Sequence, residues 1–297
     1  MDQIPLLTGK TIVITGGTHG LGKATILELA RHQPRVICFT GRNGEAAVKL
    51  QQQIRVTDNK IDTIFIKSDH ADLDSVQSAS EQIIAKLERL DIVILNAGVM
   101  GRDAALTKDG IEWHFGVNHL AHALMIKLLM PLLNTTADKY GDARLLVMSS
   151  RFPWLPQQGI VFETLNTEQD WWYGGRWMRY GQSKLANAAY ATTVAEKEPK
   201  ISCISLHPGV VSTGLWDHSL NLPNRLFTWL AEMTQIEPLE VAVLNICWAV
   251  TTAKANLKPG AYYERPDKPG LHSSFAGDAA LRERLWNWTE MQLESRM

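Results

Sequence analysis

The sequence predicts an α/β fold: a doubly wound parallel sheet of about seven strands with helices on both faces, in one domain over residues 1–297. Three observations predict it. Short β-branched runs alternate with longer stretches of helix-forming sequence. The runs are almost continuously apolar, as strands buried on both faces are. Strand, helix and strand follow one another at the spacing of right-handed βαβ units.

The first strand is TIVIT (11–15), followed by the helical GKATILELARH. RVICFT (35–40) leads into GEAAVKLQQQIRV, and TIFIK (63–67) into DSVQSASEQIIAKLERL. DIVIL (91–95) precedes GIEWHFGVNHLAHALMIKLLMPLL. RLLVMS (144–149) and ISCISL (201–206) flank YGQSKLANAAYATTVAEKE, a run with no proline and one early glycine. AYYE (261–264) is the seventh strand. Two segments break the rhythm: 151–177, rich in Pro, Gly and Trp, and 214–233. Both follow strands at their carboxyl ends, where open α/β sheets bind ligands. They are therefore assigned to substrate binding, and Trp154, Trp171, Trp172, Trp177, Trp216 and Phe227 suit a bulky, mostly apolar substrate.

Composition narrows the function. With 30 basic and 31 acidic residues the net charge is -1. Nothing in that balance favours nucleic acid or an anionic membrane. Cys38, Cys203 and Cys247 fit no metal spacing and lie in apolar surroundings, as small buried residues in a reducing compartment do. His119 and His122 lie three apart without a third ligand, so no metal is expected. The start MDQIPLLTGK is short and polar, and runs such as VAVLNICWAV fall short of the ~20 residues a membrane span needs. The expectation is a cytoplasmic protein without a membrane anchor.

TIVITGGTHGLGKATILEL passes from strand to helix through Gly16, Gly20 and Gly22. Glycines there let the backbone turn tightly and approach a pyrophosphate, while the helix N-terminus supplies N–H donors. The second strand ends FTGRN, with Arg42 and no acidic residue at its tip. A guanidinium binds a 2′-phosphate bidentately. His19 and Lys23 add positive charge nearby. The cofactor expected is NADP(H) rather than NAD(H).

In WMRYGQSKLAN, Tyr180 and Lys184 stand four apart on a helix, on one face. An ammonium beside a phenol favours the phenolate, so the Tyr180 pKa is expected to fall below its usual value of about 10. That would make the phenol a proton donor and acceptor near neutral pH.

Together these motifs resemble the short-chain dehydrogenase/reductase superfamily, a Rossmann-type fold. TGGTHGLG matches its TGxxxGxG loop, LNAGVM its NAG motif, VMSS its strand-end serine, YGQSK its YxxSK motif and HPGVVST its PG motif, in the family's order over residues 11–213. FGVNHLAH and SKLAN look most like the retinol-dehydrogenase-like and WW-domain-oxidoreductase-like branch. The resemblance implies four catalytic residues. Tyr180 is the general acid in carbonyl reduction, Lys184 holds the nicotinamide ribose, Ser150 (with Ser149 as its rival) steadies the carbonyl oxygen, and Asn118 holds a water in a proton relay. It places Asp69 on the adenine, Asn96, Ala97 and Gly98 along the adenine ribose, and Val211 and Thr213 at the nicotinamide end. Thr18, Leu21, Asn43, His70, Pro208 and Gly209 complete the cofactor contacts. The family offers both a homodimer, through the helices carrying Asn118 and Tyr180, and monomers.

The resulting expectation is an NADPH-dependent oxidoreductase acting on a carbonyl or the matching alcohol of a hydrophobic small molecule. A retinoid-like lipid, a steroid or a polyketide-type intermediate of secondary metabolism would fit. The alternatives are a non-redox enzyme on the same fold (an isomerase, dehydratase or cyclase) and an NADP-sensing interaction protein. Two departures stand out: Ser150 and Tyr180 are unusually far apart in sequence, and Arg151 follows the serine, either reaching an acidic substrate group or pointing away.

Overall fold

The computed structural model describes residues 4–151, 157–171, 174–211, 236–237, 239–270 and 272–296. The strands are β1 (Thr11–Ile14), β2 (Val36–Gly41), β3 (Asp62–Lys67), β4 (Ile92–Leu95), β5 (Arg144–Met148), β6 (Ser202–Leu206), β7 (Val210–Val211), β8 (Ile236–Glu237), β9 (Tyr262–Arg265) and β10 (Lys268–Gly270). Eight of them form one sheet in the order β10-β9-β6-β5-β4-β1-β2-β3, parallel throughout except for the β9–β10 hairpin. The order reverses between β1 and β4, the switch point at which such sheets open a crevice. β7 and β8 pair separately.

All seven expected strands are present. The added edge strand β10 is a Lys-Pro-Gly run, short and proline-bearing, as an edge permits. Asp267 turns the hairpin with φ +58°.

The helices are α1 (Gly20–Ala30), α2 (Gly44–Thr57), α3 (Leu73–Lys86), α4 (Trp113–Tyr140), α5 (Gly175–Lys197), α6 (Leu239–Thr251), α7 (Ser274–Gly277) and α8 (Ala279–Leu293). One core lies between the sheet and α1, α2 and α6, around Ile26, Leu29, Phe39, Leu50 and Ile246. The other lies between the sheet and α3, α4 and α5, around Val76, Ile83, Leu124, Leu129 and Leu185. Successive strand residues enter opposite cores, Val13 one and Ile12 and Ile14 the other. That explains the unbroken apolar runs.

By length and composition α4 could cross a membrane, but most of it is buried in this second core. Its outer side and that of α5 carry α8, which the sequence reading did not anticipate. Trp286 stacks on Tyr190 at 5.2 Å, and Trp288 meets Phe115 edge-on at 5.3 Å. His119 Nε2 lies 3.2 Å from Thr289 Oγ1, and Lys127 pairs with Glu290 at 2.6 Å. Cys38, Cys203 and Cys247 are buried free thiols, as expected.

Candidate active site

The turn from β1 to α1 crosses the carboxyl edge of the sheet. Gly16 has φ +66°, and a Cβ there would stand 2.9 Å from Ala97 Cα. A Cβ on Gly22 would stand 2.3 Å from the Gly16 carbonyl oxygen. Neither position admits a side chain without displacing backbone. Asn96 Nδ2 donates to Thr15 O at 2.9 Å, which ties this loop to the end of β4. At the start of α1, His19 makes no side-chain cap and instead meets Thr18 Oγ1 at 3.0 Å. The first N–H groups of α1 thus remain open to an anion.

These residues line a cleft of about 1270 Å³. It gathers Gly16, Thr18, His19, Gly20, Leu21 and Gly22 from the loop, and Arg42 and Asn43 from the end of β2. Asp69 and His70 come from beyond β3, and Asn96, Ala97 and Gly98 from beyond β4. Every expected cofactor residue up to Gly98 therefore lies on one surface. Ser68, Glu45, Met100, Arg102 and Trp113 also line it and were not picked out as site residues. Asn43 Oδ1 is engaged in capping α2, accepting from Ala46 N at 3.0 Å. His70 Nδ1 donates to Val117 O at 3.3 Å, and burial pushes the ring pKa down to about 4. Its Nε2 is then a buried acceptor with no hydrogen-bond partner among the described residues. The glycine cradle and the open helix end fit a dinucleotide.

Beyond Gly98 the cleft meets a second cluster. α5 carries Tyr180 and Lys184 one turn apart, both buried. Lys184 Nζ donates to Met148 O at 3.1 Å and lies 5.8 Å from the Tyr180 ring centroid. Asn187 Nδ2 donates to the same carbonyl at 3.0 Å, and Ser149 Oγ donates to Lys184 O at 2.7 Å. Ser149 is thereby committed to the backbone. Ser150 is the hydroxyl that meets the Tyr180 side chain, and its carbonyl accepts from His272 Nε2 at 2.6 Å.

Asn118 is fully buried behind this cluster. Its Oδ1 accepts from Val99 N at 2.8 Å, and its Nδ2 donates to Val99 O at 3.0 Å and Ser183 Oγ at 2.9 Å. A Cβ on Gly98 would lie 3.6 Å from Lys184 Nζ, so the amine adjoins the nucleotide cleft.

The expected fall in the Tyr180 pKa is not what this geometry produces. Burial pushes the phenol up to about 12, against which the Ser150 hydrogen bond works in part. Burial also lowers Lys184 to about 8. Desolvation outweighs the attraction between two groups that are not in direct contact. The phenol is held neutral, the form that can donate a proton.

A buried polar network that the sequence reading missed braces this helix. Glu112 accepts from His114 N at 3.0 Å and Phe115 N at 2.8 Å, and pairs with Arg179 at 3.4 Å. Arg179 also donates to Gln169 O at 2.9 Å and Arg102 O at 3.1 Å. No local spacing signalled it, since Glu112 caps α4 and Arg179 lies in α5.

Arg151 forms an ion pair with Glu264 on β9. Trp177 is buried and faces Gly101. Pro208 and Gly209, the latter at φ +93°, follow β6 but are not among the described lining of the cleft. Val211 lies in β7. Thr213, Trp154, Trp172, Trp216, Phe227 and the whole of 214–233 lie outside the described residues. His119 and His122 point to different partners, Thr289 and Thr15.

The short chain dehydrogenase family model matches residues 10–153. An uncharacterized oxidoreductase of Schizosaccharomyces pombe is 36% identical over 302 residues, covering 99% of this chain and 87% of that protein. Retinol dehydrogenase 14 of Mus musculus is 33% identical over 298 residues, covering 94% and 81%. Among solved structures, an uncharacterized protein from Mycobacterium paratuberculosis superposes with TM-score 0.74 at 24% identity, covering 99% of this chain and 96% of that one. An NADPH-bound carbonyl reductase from chicken fatty liver gives TM-score 0.65 at 18% identity, covering 91% and 97%, a likeness of fold.

Proposed function

The chain belongs to the short-chain dehydrogenase/reductase family, and we propose that it is an NADPH-dependent oxidoreductase that reduces a carbonyl, or oxidises the matching alcohol, of a bulky hydrophobic molecule. One observation carries the reading: the Ser150–Tyr180–Lys184 cluster adjoins Gly98, in the lining of the glycine-cradled cleft.

When bound, NADPH supplies the hydride. The chain's residues do the rest. Neutral Tyr180 donates its phenolic proton to the substrate oxygen as the C–H bond forms, so that carbonyl, hydride and proton together give the alcohol. Ser150 donates a hydrogen bond to the same oxygen while its negative charge develops. Lys184, held by Met148 O, presents its amine beside Gly98 in the cleft lining. Arg42, exposed on the cleft rim, is the phosphate-binding group that favours NADPH over NADH. Asn118 acts here through its hold on Val99, since its side chain is already engaged.

Retinol dehydrogenase 14 takes its name from a lipid alcohol, which supports a hydrophobic substrate. The packing of α8 over α4 and α5 favours a monomer over the family's homodimer through those helices. Three buried thiols suit a reducing compartment, and we place the protein in the cytoplasm.

The test is NADPH oxidation, followed by absorbance, across a panel of apolar ketones and aldehydes. Tyr180→Phe should lower kcat by about a thousandfold or more while nucleotide binding persists, the scale of a lost general acid and its hydrogen bond. Turnover that survives in Tyr180→Phe, or that consumes no NADPH, would contradict the proposal and favour a non-redox enzyme.

A further inference from the structure

Beneath the cofactor cleft a chain of polar contacts joins two parts of the site. α4 is irregular where it carries Asn118. Over Gly116–Leu120 it widens into a π segment, with Ala121 N bonded to Gly116 O five residues back. Such widened turns occur mostly as single interruptions in helices, frequently at functional sites.

His122 stands one turn after Asn118 and is buried. Its Nδ1 lies 2.9 Å from Asn118 O. A carbonyl only accepts, so Nδ1 carries the proton and Nε2 is an acceptor. Nε2 lies 2.9 Å from Thr15 Oγ1, so that hydroxyl donates to it. The same oxygen accepts from Ala97 N at 2.9 Å. Every hydrogen along the line is thereby fixed: Ala97 to Thr15, Thr15 to His122, His122 to Asn118. Thr15 opens the glycine loop, Ala97 belongs to the cleft floor, and Asn118 grips Val99 by both its N–H and its carbonyl. On the cleft side the His70 ring meets His122 edge-on at 4.7 Å. Burial keeps both rings neutral, as this pattern requires.

We propose that His122 is a positioning residue for the part of the cofactor site that faces Lys184, the residue assigned to the nicotinamide ribose, acting through Thr15 and Asn118 to fix the Ala97–Val99 strip against that amine. The inference rests on the reading of the cleft as an NADP(H) site. Little slack is available there. A Cβ on Gly98 would lie 3.1 Å from Asn118 Oδ1 and 3.6 Å from Lys184 Nζ. Movement of the π segment therefore moves the strip relative to the amine. Arg42 and Asp69 make no hydrogen bond to this line among the described residues.

The test compares wild type, His122→Phe and His122→Asn by calorimetric titration. One probe is NADPH. The other is 2′,5′-ADP, which has the adenine half and no nicotinamide. Phe keeps a ring against His70 but makes neither hydrogen bond. Asn keeps an N–H that can reach the Asn118 carbonyl. We expect His122→Phe to weaken NADPH binding by about tenfold, the scale of one or two buried hydrogen bonds, and 2′,5′-ADP by less than about twofold. His122→Asn should recover most of the loss. Unchanged NADPH affinity in His122→Phe would overturn the proposal. So would equal weakening of both probes, the mark of a general loosening of the fold. A wild type that binds neither probe would sink the nucleotide reading itself, and this inference with it.

Discussion

The two halves of the sheet's carboxyl edge are built by different means. Over β1–β4 the cleft is largely backbone: a glycine turn, an open helix end and strand tips, with Asn96 as its tie. Over β5–β9 the site is made of side chains brought together from afar. His272 reaches the Ser150 carbonyl across 122 residues, Ser149 the Lys184 carbonyl across 35, and Arg151 pairs with Glu264 across 113. A backbone-built site is written in short local motifs. A side-chain-built site depends on tertiary contacts, and its chemistry on burial.

The largest effect expected from this contrast lies on the side-chain half. Ser150→Ala should lower kcat by roughly a hundredfold to a thousandfold, as loss of one oxyanion donor does. Ser149→Ala should cost mainly stability, about 1 kcal/mol for its buried bond to Lys184 O, measured by denaturant unfolding. Equal kinetic effects of the two variants would erase the distinction between them.

Next comes the backbone half. Gly22→Ala should weaken NADPH binding by about a hundredfold, because the added Cβ meets the Gly16 carbonyl at 2.3 Å, and cavity-filling relaxation is least available against backbone. A near-normal Kd by titration would show that the cradle yields. Smaller again, Arg42→Ala should lower the NADPH-to-NADH affinity ratio by about tenfold, the loss of one charge-assisted phosphate contact.

A separate effect, which belongs to the buried histidines of both halves, is on acid stability. The folded state holds His70, His119 and His207 neutral down to about 4, 3 and 4. The unfolded chain binds those protons near 6.5, so stability is full above that value and falls as pH drops toward 4. The slope is at most about 1.4 kcal/mol per pH unit for each histidine. Thermal unfolding from pH 7 to 4 would show it, and a flat profile would mean that these rings take up protons in the fold.

The same contrast governs what could be read from the sequence. Seven strands were legible because burial on both faces leaves unbroken apolar runs. The cleft lining from Gly16 to Gly98 was legible in two ways: the glycine loop and Arg42 from their places just after β1 and β2, and Asp69, His70 and Asn96 to Gly98 from the family resemblance. β10 was hidden by its Lys-Pro-Gly composition, and α8 by tryptophans and charges on a helix that packs over α4 and α5. The Glu112–Arg179 pair gave no pattern, since its two residues are partners only in the fold. The direction of the Tyr180 shift was misjudged for a related reason. A YxxxK spacing displays the neighbouring charge, whereas the dominant influence is desolvation, which no spacing displays.

The proposed function ties the backbone-built cleft to an NADPH-dependent chemistry. Thermal unfolding of the purified chain with NADPH and with NADH, at matched concentration, tests it most directly. Binding only to the native state at a hundredfold excess over Kd adds about 2.7 kcal/mol of stability. A clear rise in Tm with NADPH and a much smaller one with NADH is expected. A larger rise with NADH would contradict the role given to Arg42, and no rise with either would contradict the dinucleotide cleft itself.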